Sequence, residues 1–145
     1  MQHKAIFCVI VSAIILANAA TESLAAGAVA IGEPANIAAQ GVSMGYNVNS
    51  KTTDEAGTAA LASCKTVGSA KSKSLCKVVV TFSNQCVAQA IDPKPGTPGF
   101  GWAIADTSEE AKNQAMANCR ATAGPSRQRF CESEKTLCDG SANKQ

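Results

Sequence analysis

Histidine is almost absent from this chain of 145 residues, in which the only one is His3. The segment 1–19 combines one lysine, an apolar run from Ala5 to Leu16, and small residues at Ala17 and Ala19. This is the pattern of a secretory signal peptide, and a second possible cleavage site follows Ala25. Because cleavage removes His3, the exported chain lacks the base of Ser-His-Asp and Cys-His nucleophiles, which excludes most hydrolase mechanisms.

A second long apolar run is also lacking. After the predicted signal peptide, no stretch approaches the roughly 20 residues that cross a bilayer, and an uncleaved anchor is the less favoured alternative because its run is short. The charge is low, with 13 Lys and Arg against 11 Asp and Glu, so a dedicated nucleic-acid binder is not expected. These features predict a secreted or periplasmic protein with a single domain.

The cysteines reveal an internal duplication. The interval from Cys64 to Cys76 equals that from Cys119 to Cys131, and the shift that places Cys64 on Cys119 superimposes both pairs together with the Ala-rich segments before them. Gly45-Tyr46 falls on Gly101-Trp102 when small gaps are allowed. The sequence therefore predicts two copies of one supersecondary unit. The predicted organisation is a signal peptide over 1–19, a domain over 20–138 with repeats at about 27–82 and 85–138, and a flexible tail over 139–145.

Each copy contains one strong helix signal. Thr52 and Thr107 each precede a glutamate by three residues, which predicts a capping box at the helix start. Stripes made mostly of alanine follow, and they predict helices that approach a sheet closely. Alternating apolar residues on both sides of Ser83-Asn84 predict a hairpin that joins the copies. The predicted fold is α+β, with strand-helix-strand units forming an antiparallel sheet and two helices packed on it; the strand candidates are 27–31, 41–48, 76–82, 86–91, 99–105 and 130–136.

Six cysteines behind an export signal predict three disulfides. Spacing alone allows 15 connectivities, and the duplication favours Cys64–Cys76, Cys119–Cys131 and, as the remaining pair, Cys86–Cys138. A zinc site or a redox pair is the alternative, but no Cys-x-x-Cys spacing is present. No metal and no cofactor is expected.

Candidate binding residues come from both repeats. Lys71 and Lys73 lie between the first cysteine pair, and Arg127 and Arg129 lie between the second. They suggest a cationic edge for an anionic partner, although basic residues after a helix also complement its dipole. Tyr46 and Trp102 each follow a glycine, and such aromatic residues form either a binding platform or part of the core of a small domain. The carboxylates suggest no acid/base pair, so no catalytic residue is predicted.

Several of these features together resemble the bacterial domain-of-unknown-function 4189 family. They are the Gly-aromatic elements, the Ala-rich helices that end in cysteine, and the segment CKVVVTFSNQC from Cys76 to Cys86. The resemblance runs from about Gly27 to Cys138 and implies an exported, cysteine-containing α+β domain without established catalytic residues. The sequence departs from it after Cys131, where Glu132-Ser133-Glu134-Lys135 replaces the Val-rich strand of the first copy.

The leading functional hypothesis is an exported, non-enzymatic protein that binds another protein or an anionic component of the bacterial envelope. One specific form is an inhibitor or immunity-type partner of a toxic envelope enzyme. A carboxylate-based glycan hydrolase is the enzymatic alternative, and it needs two carboxyl groups about 5 to 10 Å apart in a cleft. A structural surface protein is the third hypothesis. The oligomeric state is not predicted.

Overall fold

A computed structural model describes residues 25–144, so the predicted signal peptide lies outside the described residues. None of the helices in the described part has the length and apolarity required to cross a membrane. The strands are β1 (Ala26–Gly32), β2 (Ser43–Ser50), β3 (Lys77–Phe82), β4 (Cys86–Ile91), β5 (Phe100–Ala105) and β6 (Glu132–Cys138). The helices are α1 (Ile37–Gln40), α2 (Thr53–Cys64), α3 (Ala70–Ser74) and α4 (Ser108–Ala123), with 3-10 helices at Gln128–Phe130 and Gly140–Lys144.

The α+β class is confirmed, and the strands form two antiparallel sheets of three strands each. The first sheet has the order β2-β1-β3, and the second has the equivalent order β5-β4-β6. Each repeat therefore has two strands, a main helix and a third strand that returns beside the first. The register shift that leaves Val79 of β3 without a partner on β1 recurs on β6 at Glu134, the residue equivalent to Val79 in the second repeat. The duplication thus extends to a β-bulge at the same position in both copies.

The two sheets pack face to face, and the main helices cover their outer faces. One apolar cluster joins the facing sides of the sheets and includes Val29, Phe82, Val87 and Phe100. The opposite sides carry small residues: Ala28 and Ala30 on β1 pack against α2, in a cluster that has its equivalent between β4 and α4. The architecture is therefore four layers, helix-sheet-sheet-helix.

The predicted hairpin at Ser83-Asn84 is wrong in one respect, because β3 and β4 do not pair. β3 pairs with β1, whereas β4 pairs with β5 and β6, so the connection carries the chain from one sheet to the other. Asn84 takes a positive φ of 54° in this connection. The physical reason is that β1 and β4 are apolar on both faces and need a layer on each side. A helix covers one face, and the other sheet covers the second.

The threonine half of each predicted capping box is confirmed, whereas the Glu55 carboxylate accepts from the backbone N–H of Lys51 and not from that of Thr52. Thr52 accepts a hydrogen bond from the backbone N–H of Glu55, and Thr107 accepts one from that of Glu110, both at 3.2 Å. These bonds satisfy N–H groups that would otherwise lack a partner at the first turn.

The close approach of helix and sheet depends on one glycine in each repeat. A Cβ on Gly45 would collide with the backbone of Ala60 and Cys64 in α2. A Cβ on Gly101 would collide in the same way with the backbone of Ala115 and Cys119 in α4. Gly45 and Gly101 therefore bring strand and helix backbones into direct contact.

Three disulfides join Cys64 to Cys76, Cys119 to Cys131 and Cys86 to Cys138. The first two are equivalent, and each links a main helix to the residue just before the last strand of its repeat. The third links residues directly opposite each other on β4 and β6.

The segment after Cys138 makes contacts that its polar composition does not indicate. Asp139 and Ala142 are buried, and residues 140–144 form a 3-10 helix. The reason is that the side chain of Asp139 accepts hydrogen bonds from the backbone N–H groups of Asn49 (2.6 Å) and Asn84 (3.2 Å), which the composition does not reveal.

Candidate functional site

A groove of about 550 Å³ lies where the two sheets meet. Trp102 comes from β5 of the second repeat, Lys77 and Val79 come from β3 of the first, and Leu75 lies just before β3. The other residues belong to β1, to the loop that follows it and to the start of α1. We call this site the Trp102 groove, and it is lined by Ile31, Glu33, Pro34, Ala35, Ile37, Leu75, Lys77, Val79 and Trp102.

Trp102 reaches the groove because neighbouring residues of a strand point to opposite faces. Gly101 faces α4, so Trp102 faces the first sheet and packs in the apolar layer between the sheets. Its side chain is only partly buried, which leaves part of the ring to line the groove. Trp102 thus belongs both to the core and to the surface, whereas the sequence analysis treated the core and a binding platform as alternatives.

The opposite side of the groove belongs to an edge strand with exposed apolar side chains. β3 is hydrogen-bonded only to β1, so its outer edge has no neighbouring strand among residues 25–144. Val78 and Val79 are each 40% exposed, and Leu75 just before the strand is 37% exposed. The bulge at Val79 removes this residue from the ladder with β1 and places it in the groove. Exposed apolar edge strands are a liability that most proteins avoid, so this one requires an explanation.

The second repeat has an equivalent groove with a different lining. Tyr46 takes the place of Trp102 in a groove of about 470 Å³, where Gln89, Glu134 and Lys135 line the site together with Val42, Met44, Ser63, Val67 and Ile91. The Lys135 ammonium lies 5.4 Å from the centre of the Tyr46 ring. Burial, together with the negative charge of Glu134, raises the pKa of Tyr46 to about 12. The lining of this groove is therefore more polar than that of the Trp102 groove, and two of its residues, Tyr46 and Lys135, contact each other.

The predicted basic residues lie on two elements, and none of the four lines the Trp102 groove. Lys71 and Lys73 lie on α3, which leads through Leu75 into β3, so they are near one end of the Trp102 groove along the chain. Arg127 and Arg129 do not line this groove. Both guanidinium groups stack on Phe130, at 4.2 and 4.7 Å from the ring centre.

Arg127 also forms an ion pair with Asp92. Its Nε donates to Oδ2 at 2.7 Å and its Nη2 donates to Oδ1 at 2.6 Å, while the carboxylate of Asp92 is fully buried. Hydrogen bonding from Arg127 lowers the pKa of Asp92 to about 2, against the opposing effect of burial. Asp92 begins the proline-rich connection between β4 and β5. This pair therefore anchors a loop, and Arg127 already has a partner within the chain.

Leu75, Lys77, Val79 and Asp139 were not among the predicted site residues. The signal for Val79 was present in the sequence, since the shift that superimposes the cysteine pairs places it on Glu134. A valine and a glutamate at equivalent positions indicate that one copy differs in its surface. No local pattern pointed to Asp139, whose partners are distant in the chain. In the described part, no group of three or more His, Cys, Asp or Glu residues is arranged to hold a metal ion.

One family model matches the chain. It is described as a domain of unknown function (DUF4189), and it matches residues 26–138, from the first strand to the last. The chain therefore belongs to this family. No curated protein and no solved structure matches it.

Proposed function

We propose that this member of the DUF4189 family is an exported, non-enzymatic binding protein that recognises another protein of the envelope or the extracellular space through the Trp102 groove. The observation that carries the proposal is the difference between the two repeats. They share one architecture, yet the exposed residue of the strand bulge is Val79 in the groove of Trp102 and Glu134 in the groove of Tyr46.

Export is supported by the signal pattern of residues 1–19 and by the three disulfides. Disulfides persist in the periplasm and outside the cell, whereas the cytosol keeps thiols reduced.

A protein partner is supported by the chemistry of the groove. Exposed apolar side chains next to a partly buried tryptophan are typical of the centre of a protein interface, and Lys77 and Glu33 supply polar groups at its border. The fold does not require an apolar residue at position 79, because a glutamate, Glu134, occupies the equivalent bulge of the second repeat.

A non-enzymatic role is supported by the positions of the two buried carboxylates. Asp92 is held by Arg127, and Asp139 is held by two backbone N–H groups. Both groups serve the fold, and neither lines the Trp102 groove.

Photo-crosslinking in producing cells tests the proposal with a matched control. A benzophenone amino acid is placed at position 79 in one variant and at the equivalent position 134 in another. After irradiation, position 79 is expected to give a discrete adduct with another protein, and position 134 is not. Trp102→Ala should remove the adduct at position 79. Absence of any adduct at position 79, or the same adducts at both positions, would contradict the proposal.

A further inference from the structure

We infer that the partner binds as an extended polypeptide strand that pairs with the outer edge of β3, with one apolar side chain in the Trp102 groove and an acidic residue beside Lys77. This inference rests on the proposed function and specifies how the binding occurs. The mode is strand addition, in which the backbone supplies affinity and the groove supplies selectivity.

The first step concerns the backbone of β3. Its inner edge pairs with β1, and its outer edge has neither a strand nor a side-chain hydrogen bond from residues 25–144. An unpaired edge presents a row of N–H and C=O groups at the spacing of a polypeptide. A polypeptide is therefore the partner whose chemistry matches this edge.

The second step distinguishes β3 from the other three outer edges. The side chains of β2 and β5 are mostly buried or half-buried, while the first four residues of β6 are exposed but polar or charged. Among the outer strands within residues 25–144, only β3 combines an open edge with consecutive exposed apolar residues, Val78 and Val79. The edge of β6, with its charged residues, has the usual protection against strand addition.

The third step concerns selectivity. The Trp102 groove lies beside this edge, and Val79 contributes to both. Because alternate side chains of an added strand point to the same side, one of them would enter the groove between Trp102 and Val79. The lining favours an apolar side chain at that position.

The fourth step concerns charge. The sequence carries four lysines and no acidic residue between Glu55 and Asp92, namely Lys65, Lys71, Lys73 and Lys77. Glu33 is the acidic residue that lines the groove. Lys77 lines the groove, and Lys71 and Lys73 lie on the short helix that leads into β3. An acidic partner complements this basic segment, whereas a second copy of the chain would bring the same lysines to the interface from both sides. The charge therefore favours a different polypeptide over self-association.

The test uses a library of phage-displayed octapeptides selected on the disulfide-bonded chain. The enriched peptides should have apolar residues at alternate positions, at least one acidic residue and no proline. The tightest peptide is then synthesised with N-methyl groups at alternate backbone positions. N-methylation of the residues that face β3 should weaken binding at least about tenfold, and N-methylation of the intervening residues should have little effect. These changes are made in the peptide, so they leave the folding of the protein unaffected.

Two protein variants complete the test. Val79→Glu copies the second repeat and should abolish binding, whereas Ser133→Val in β6 should leave it unchanged; circular dichroism checks that both are folded.

The outcomes separate the two proposals. Binding that needs Trp102 but tolerates N-methylation at every position would overturn strand addition and leave the proposed function in place. A selection that enriches no peptide, or a chain that dimerises through β3, would also overturn strand addition. Absence of an adduct at position 79 in the cellular crosslinking would contradict the proposed function itself.

Discussion

The carboxylate of Asp139 accepts a hydrogen bond of 2.6 Å from the backbone N–H of Asn49, which lies 90 residues earlier in the chain. Its second oxygen accepts one from the backbone N–H of Asn84, at 3.2 Å. Both asparagines have positive φ angles, and their side-chain oxygens in turn accept hydrogen bonds from the backbone N–H groups of Gly140 and Ser141. The segment that follows the second repeat is thereby fastened to the end of β2 and to the connection between β3 and β4.

Replacing Asp139 with alanine should destabilise the domain strongly. The change removes two partly buried hydrogen bonds to a charged acceptor, at roughly 1.5–3 kcal/mol for each bond. Urea-induced unfolding followed by circular dichroism measures the free energy of unfolding. Asp106→Ala serves as the control because this aspartate is exposed, and it should change the free energy of unfolding much less. Equal effects of the two substitutions would contradict the role assigned to Asp139.

The ion pair between Asp92 and Arg127 predicts a defined pH dependence. Because the pKa of Asp92 in the folded chain is about 2, below its ordinary value of 3.8, the pair stabilises the fold above about pH 4. This stabilisation is lost as the pH falls from 4 towards 2 and the carboxylate becomes protonated. Arg127→Gln should therefore lower the melting temperature at pH 7, and its difference from the unmodified chain should shrink over that interval.

Arg129→Gln is the control for this pH dependence. Arg129 stacks on Phe130, and within residues 25–144 it forms no ion pair. Its effect on the melting temperature should be the same at pH 7 and pH 2.5. A difference for Arg127→Gln that stays constant with pH would show that the ion pair does not stabilise the fold.

Most of the fold could be predicted from the sequence because the duplication repeats each signal. The two capped helices, the alternating strands and the division into repeats follow from periodicity and from cysteine spacing. The separation into two sheets could not be predicted, because strand pairing is a long-range property and a local pattern around Ser83-Asn84 also suits a hairpin. The double-sided burial of β4 decides the pairing, and it is visible only when all layers are present.

The candidate site could be predicted only in part. Trp102 was recognised by its place in the repeat, but the residues that complete the groove come from β1, β3 and the segments next to them in the other repeat. The four basic residues were grouped because each pair lies between the two cysteines of its repeat. The structure gives Arg127 and Arg129 contacts with Asp92 and Phe130, while Lys71 and Lys73 lie on a short helix that leads into β3. Similarity between the repeats thus predicts the shared fold better than it predicts the contacts of side chains at the surface.

The two glycines that contact the helices should not tolerate alanine. Gly45→Ala and Gly101→Ala each place a methyl group against the backbone of a helix, and this overpacking should cost about 1–3 kcal/mol or more. Gly57→Ala is the control, since its Cβ would lie at an ordinary distance of 3.6 Å from Val78 and would favour the helix by about 0.5–1 kcal/mol. In urea-induced unfolding, Gly45→Ala and Gly101→Ala should lower the free energy of unfolding, and Gly57→Ala should raise it. A neutral Gly45→Ala or Gly101→Ala would contradict the close packing.

The three disulfides should differ in their contributions. Cys64–Cys76 and Cys119–Cys131 each have a sequence separation of 12, and Cys86–Cys138 has one of 52. Loop closure in the unfolded chain predicts about 3 kcal/mol for each short loop and about 4 kcal/mol for the long one. Unfolding of the paired Cys→Ala variants measures this order. The reverse order would show that contacts of the native state outweigh the entropy of the unfolded chain.

Amide hydrogen exchange, measured residue by residue by NMR with and without the selected octapeptide, tests most directly whether β3 is the binding edge. The expected result is that outward-facing amides in residues 77–82 exchange at least about tenfold more slowly when the peptide is bound, while those of β6 are unchanged. Protection confined to β6 or to the helices, with β3 exchanging as in the free protein, would contradict strand addition at this edge.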